Sequence, residues 1–244
     1  MPSDRPGGQP RTTASGAPAP GTSVASLLLL VDGRLPTGGH AHSGGIEAAV
    51  ADGRVRVAPD LERYLEGRLA TAGLVDAALA AATAGGRASI ALLNEEAQAR
   101  CASPALRRAS VAQARGLLRA ARHIWPSPAL DEIAASADNS GLMWPIVLGS
   151  VARAAGLRAC DAAVAAAVGS VTGPAWAAVR LLGLDPFEVV AALGRLAPRI
   201  DEIASAADAA ARIAPPSDLP ARGSPLLDIA AQRHATWEVR LFVS

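Results

Sequence analysis

The sequence predicts an all-α protein, a single globular bundle of about ten helices with flexible N- and C-terminal tails. Two observations carry the class: half of the 244 residues are hydrophobic while only 3% are aromatic, and alanine dominates, a composition suited to closely packed helices rather than sheets. A third is punctuation, because Pro, Ser, Asp and Gly recur where helices with three- and four-residue apolar spacing should start and stop. The boundaries expected are a disordered tail over 1–22, a helical domain over 23–208, and a Pro-rich linker with a partner-binding tail over 209–244.

The first 22 residues are rich in Pro, Gly, Ser and Thr, and lack both the apolar run of a secretion signal and the means to bury enough surface to order. Residues 34–50 then place four glycines, His40, His42 and Glu47 between two apolar segments, with Pro36 fixing the backbone where the loop begins. Such a loop is shaped for close contact. Pro59 suits a first helical position, and Asp60 and Glu62 put negative charge at the positive end of a helix dipole. Leu61, Leu65, Leu69, Ala72, Val75 and Leu79 continue one apolar face until Gly85 and Gly86 stop it.

Ser103 and Pro104 open the next long helix, on which Arg108, Arg115, Arg119 and Arg122 share one side. That row reads either as a solvated face beside Val111, Ala114, Leu118 and Ala121, or as a docking surface where arginine forks meet an acidic partner. Trp125, Pro126 and Pro128 end it. Pro145 must start or kink the helix in 142–157, and Gly149 permits a close helix contact. The uncharged run Ala162 to Val179 nearly reaches membrane-spanning length, but it is rich in alanine and contains Gly169, Ser170, Gly173 and Pro174, so a buried, broken helix is expected. Asp185, Pro186 and Glu188 cap a further helix with Val189, Leu193 and Leu196 inward, which Pro198 should bend. Pro215, Pro216 and Pro220 break the chain before an end that carries Leu241 and Phe242.

The net charge of +1 supplies no overall field to steer nucleic acid or an anionic membrane, so neither is expected as a partner. Every basic side chain is arginine. Cys101 and Cys160 show no paired or metal-type spacing, which points to free thiols in a reducing compartment, the cytoplasm.

No catalytic signature stands out. There is no GxxxxGK[ST] loop with a preceding strand, and no GxSxG or comparable nucleophile motif. Glu47 alone, without a second acid or a nucleophile, makes a poor base. His40 and His42, two apart, point the same way in an extended segment and could contribute half of a site for nickel or zinc. Completing it needs a carboxylate such as Glu47, water or a second subunit, and the alternative is two loop histidines in hydrogen bonds. Glu47 is explained by its place at a helix N-terminus, or as part of a polar passage or partner contact.

The Pro-x-Gly stretch at Pro36 and Gly38 followed by Ser43, Gly45, Ile46 and Glu47 resembles the Pro-x-Gly and Ser-x-Gly-Leu-Glu signature of the urease accessory proteins called UreF. MWPIVLGSVARAAGL, with Pro145 and Gly149, resembles that family's Pro-containing helix; AAVRLLGL, through Arg180, Leu181 and Gly183, resembles its Arg-Leu segment; LFVS resembles its ending. The likeness runs from about Val24 onward. It departs where His40 and His42 replace aromatic residues, and where Asp185 and Pro186 follow the Arg-Leu segment in place of a glutamine. The resemblance implies a non-catalytic all-helical protein with no cofactor of its own, dimerising within a complex with UreD (UreH), the GTPase UreG and urease apoprotein, where nickel is handled by the complex. It also implies a C-terminal tail that orders on UreD, and Ser43, Gly45, Glu47, Arg180, Leu241 and Phe242 are the candidates for the partner contact or nickel passage; the arginine row, with Arg108, Arg115 and Arg119, is the candidate for the surface that faces the GTPase, a choice that no family motif carries. The other reading is a nickel-binding carrier using His40 and His42.

Overall fold

The computed structural model describes residues 23–136 and 141–244; the tail expected over 1–22 lies outside the described residues. Eleven α-helical segments follow one another: α1 (Val24–Val31), α2 (Ile46–Ala51), α3 (Ala58–Arg68), α4 (Leu74–Gly85), α5 (Ile90–Ala99), α6 (Pro104–Ile124), α7 (Pro128–Ser136), α8 (Trp144–Ala154), α9 (Ala159–Leu182), α10 (Pro186–Ile213) and α11 (Pro225–His234). A π segment at Leu69–Gly73 joins α3 to α4 as one continuous rod, so the segments make ten rods, as the sequence predicts. No strand occurs among the described residues.

The start and stop signals act as read. Ser103 Oγ accepts from the Leu106 amide at 3.3 Å, Asp185 Oδ1 accepts from the Phe187 amide at 2.9 Å, and Pro145 lies in the first turn of α8. Gly86 closes α4 in the left-handed conformation, φ +66°, where a side chain would be strained. Helix α10 runs to Ile213, so the helical body continues past residue 208.

Helices α4, α8, α9 and α10 form the centre, with Leu61, Leu65, Leu69, Leu79, Ile146, Val147 and Val151 buried alongside many alanines. An alanine offers little apolar area, so this core depends on helices approaching until their backbones touch. At Gly149 an added Cβ would lie 2.4 Å from the Ala80 carbonyl oxygen and 2.7 Å from Thr83 Cβ, which shows how closely α8 meets α4.

One proline behaves otherwise than expected: helix α9 is buried as read but is not broken at Pro174, while α10 continues through Pro198. A proline within a helix orphans the carbonyl four residues before it. In α9 that carbonyl is Ser170's, and Arg68 Nε donates to it at 2.8 Å. In α10 the corresponding Gly194 and Pro198 are both exposed, so the freed group lies on the solvent side of the helix, where no protein partner is required. By length and composition α9 could cross a membrane, yet most of it is buried here against α4, α8 and α10.

Gly149→Ala should therefore destabilise the fold by about 1–3 kcal/mol, even though alanine favours helices by about 1 kcal/mol over glycine. Urea unfolding checks it, and a variant as stable as the parent would mean that α4 and α8 are free to part.

Candidate functional site

The glycine loop is moulded against its neighbours by contacts that exclude side chains. Gly44 and Gly45 have φ of +62° and +88°; a Cβ on Gly44 would lie 2.7 Å from Pro174 Cγ, and one on Gly45 2.2 Å from Leu227 Cδ1. The Gly44 carbonyl accepts from Tyr64 Oη and from Arg68 Nη1, each at 3.0 Å. Arg68 thus joins the loop to the Ser170 carbonyl in α9. Ser43 is buried, and its Oγ accepts from the Gly45 and Glu47 amides at 3.3 and 3.5 Å, which starts α2.

Glu47 follows at the head of α2, 7% exposed, and its carboxylate gathers donors from the far end of the chain. Oε1 accepts from the Leu241 amide at 2.7 Å; Oε2 accepts from the Phe242 amide at 3.0 Å and lies 2.8 Å from His234 Nε2. A carboxylate offers only acceptors to these groups, so the imidazole donates to it. His234 is itself 3% exposed, tilted against Trp237 at 4.8 Å between ring centroids. Two main-chain bonds extend the docking, Val243 N to Ala41 O at 2.8 Å and Ser43 N to Ser244 O at 2.5 Å. Where the sequence suggests a flexible end, residues 241–244 are laid along the loop, with Phe242 buried and Leu241 half exposed.

Arg180, from α9, completes the patch. Its guanidinium sits 4.8 Å from the Phe242 ring centroid, a cation–π contact, and Nη1 donates to the His40 carbonyl at 3.3 Å. Ser43, Gly45, Glu47, Arg180, Leu241 and Phe242 therefore converge, and His40 and His42 border them. His40 is exposed, while His42 Nδ1 lies 2.7 Å from Ser244 Oγ. Burial, and then the neighbouring His40, hold the His42 imidazole below its usual range, which favours the neutral ring. Among the described residues no three His, Cys, Asp or Glu side chains cluster as a metal site. Arg108, Arg115 and Arg119 lie apart, exposed on α6.

Sequence reasoning missed His234, Arg68, Tyr64 and Asp76. Asp76 lines a cavity of about 180 Å³ under the C-terminal segment, shared with Arg68, Cys101, Gln113 and Asp228. Burial pushes its carboxyl up to about 6, only partly opposed by the Arg68 charge. The Cys101 thiol, pushed up to about 11 by burial and by Asp76 and Asp228, is unreactive at neutral pH. A four-residue step places Tyr64 and Arg68 on one face of α3, but no spacing rule reaches the groups that these residues, His234 and Asp76 meet, because those lie on other elements.

The remaining C-terminal chain is stapled as well. Arg100 donates to the carbonyls of Pro216, Ser217 and Leu219 at 3.0 Å and of Pro220 at 3.1 Å, fixing the Pro-rich linker to α5. Gln232 Oε1 accepts from the Ala105 amide at 2.7 Å and from Ser103 Oγ at 3.0 Å, seating α11 on the head of α6.

Two outcomes follow. Glu47→Ala leaves two amides and an imidazole without acceptors, so hydrogen–deuterium exchange at the Leu241 and Phe242 amides should accelerate at least ~10-fold, with a stability loss of about 2–4 kcal/mol; unchanged exchange would mean that the clamp does not hold the tail. Asp76 binds its proton more tightly folded than unfolded, so its contribution is fully present below about pH 4 and lost as pH rises through about 6. Asp76→Asn should thus gain on the order of 1–2 kcal/mol over the parent at pH 7.5 and nothing near pH 4, as read by paired urea melts.

Comparison with known proteins agrees with this architecture. The UreF family profile matches residues 55–197. The chain is 42% identical over 223 residues to the urease accessory protein UreF of Mycobacterium sp. (strain JLS), covering 91% of this chain and 100% of that protein. It is 43% identical over 226 residues to the UreF of Mycolicibacterium vanbaalenii and 41% identical over 223 residues to that of Mycobacterium tuberculosis (strain H37Rv), each again covering 91% of this chain and all of the relative. With the glycine loop, the Pro145 helix and the Arg180 segment in place, the chain belongs to the UreF family of urease accessory proteins, which are not themselves catalysts.

Proposed function

We propose that this protein is a scaffold of urease maturation that joins UreD (UreH) to the GTPase UreG, as a homodimer within a cytoplasmic complex, so that nickel passes into urease apoprotein. The observation that carries it is the Glu47 clamp. A buried carboxylate holds the C-terminal amides while Val239, Leu241 and Val243, together with Leu226 and Ile229 of α11, present exposed apolar side chains next to it. Exposed apolar side chains grouped on one segment favour a protein partner over water. In this reading UreD takes the tail and α11, and the Ser43–Glu47 turn is the contact or nickel-passage element. GTP hydrolysis belongs to UreG, and this chain acts on it by positioning rather than by supplying a nucleophile.

Co-purification with UreD and UreG tests the scaffold. The full chain should recover the complex, and a version ending before Leu226 should lose UreD; no complex with either version would overturn the reading. Glu47→Ala should lower nickel-dependent urease activation several-fold in cells carrying the other accessory genes, and full activation by that variant would remove Glu47 from the mechanism.

A further inference from the structure

Helix α6 contains five arginines and one histidine and no acidic residue. Two of the five are occupied: Arg107 donates to the Cys101 and Ala102 carbonyls, and Arg122 Nε pairs with Asp131 of α7 at 2.6 Å. Arg108, Arg115 and Arg119 are exposed and have no hydrogen-bonding or ionic partner among the described residues. The opposite face of α6, through Ala109, Ala114, Leu117 and Ala121, is buried and packs on α8, and α11 crosses the same helix near its head. Positions 108, 112, 115, 119 and 122 step by four and three residues, so they form one line along the helix, about 21 Å long.

We infer that this line is a docking surface for an acidic face of a protein partner. Guanidinium forks bind carboxylates in paired, planar geometry, and three unpartnered forks in a row fit carboxylates displayed at helical spacing. A polyanion is the poorer fit. The chain as a whole carries only +1, so no wider positive field stands behind these three side chains to hold a phosphate backbone or an anionic bilayer. The line also adjoins the glycine loop. A Cβ on Gly116 would lie 2.1 Å from the Thr37 carbonyl, so α6 rests directly on that loop and an occupant sits about one helix diameter from it. The inference rests on the scaffold reading and assigns this surface to its GTPase subunit, whereas the tail belongs to the other partner.

The test compares the full-length parent with Arg108→Glu/Arg115→Glu/Arg119→Glu in reconstitution with purified UreD and UreG, at 50 and 300 mM NaCl. All three side chains are exposed, and circular dichroism and melting confirm the fold. The triple variant should keep UreD but bind UreG at least ~10-fold more weakly, and the parent's UreG affinity should fall with salt. A matched variant, Arg87→Glu/Arg195→Glu/Arg199→Glu, carries the same charge change on other elements and should retain UreG. Undiminished UreG binding by the first variant overturns the inference and leaves the scaffold standing. So does an equal loss in the matched variant, or parent binding to a 20-base-pair duplex or phosphatidylglycerol vesicles that the α6 variant abolishes. Failure of the parent to bind either subunit overturns the scaffold and this inference together.

Discussion

The hydrogen bond from Arg68 to the Ser170 carbonyl is the constraint on which the rest of the site depends. Pro174 frees that carbonyl in the middle of the buried helix α9, where an unmet acceptor would cost about 1–3 kcal/mol. Arg68 meets it and, with a second arm of the same fork, fixes the Gly44 carbonyl. The proline ring in turn presses on Gly44, where no side chain would fit. One residue's backbone defect in α9 therefore sets the path of a loop 130 positions earlier. From Gly44 the order is fixed: Ser43 Oγ accepts from the Gly45 amide, Gly45 forms the left-handed N-cap of α2, and Glu47 is aimed at the end of the chain.

Most helix ends were legible, because caps are local: Ser103, Pro145 and Asp185 act within three residues of themselves, and Gly86 needs only its own φ. The proline at 174 was misleading for the converse reason. Whether a proline breaks a helix depends on who receives the orphaned carbonyl, and the answer in α9, a distant arginine, is a tertiary fact. Ser43, Gly45, Glu47, Leu241 and Phe242 were singled out from the loop and the tail, and Arg180 through the resemblance, but the bonds that unite them were not legible. The helix dipole explained Glu47 well enough that nothing in the sequence demanded His234, 187 residues away. Asp76 falls inside a helix that the sequence reads as continuous, and only the packing of other helices over it supplies the burial that raises its pKa.

The arginine-only basic set has physical consequences here. Arg68, Arg100 and Arg107 each bind two or more carbonyl oxygens, so that loops are stitched to helix ends by side chains that stay charged. A lysine offers a compact point charge and could not span those separations with fixed geometry. In a core built largely from alanine, such stitching supplies rigidity that apolar area alone gives sparingly.

The way Glu47 reads the chain end has a further consequence. It contacts main-chain amides of Leu241 and Phe242 and one ring from His234, so what it senses is distance along the chain rather than the identity of the side chains at 241 and 243. The clamp itself makes no demand on the side chains at 241 and 243, which it leaves turned out for a partner, while the six residues between His234 and Leu241 act as a ruler: a single insertion or deletion there slides both amides off the carboxylate.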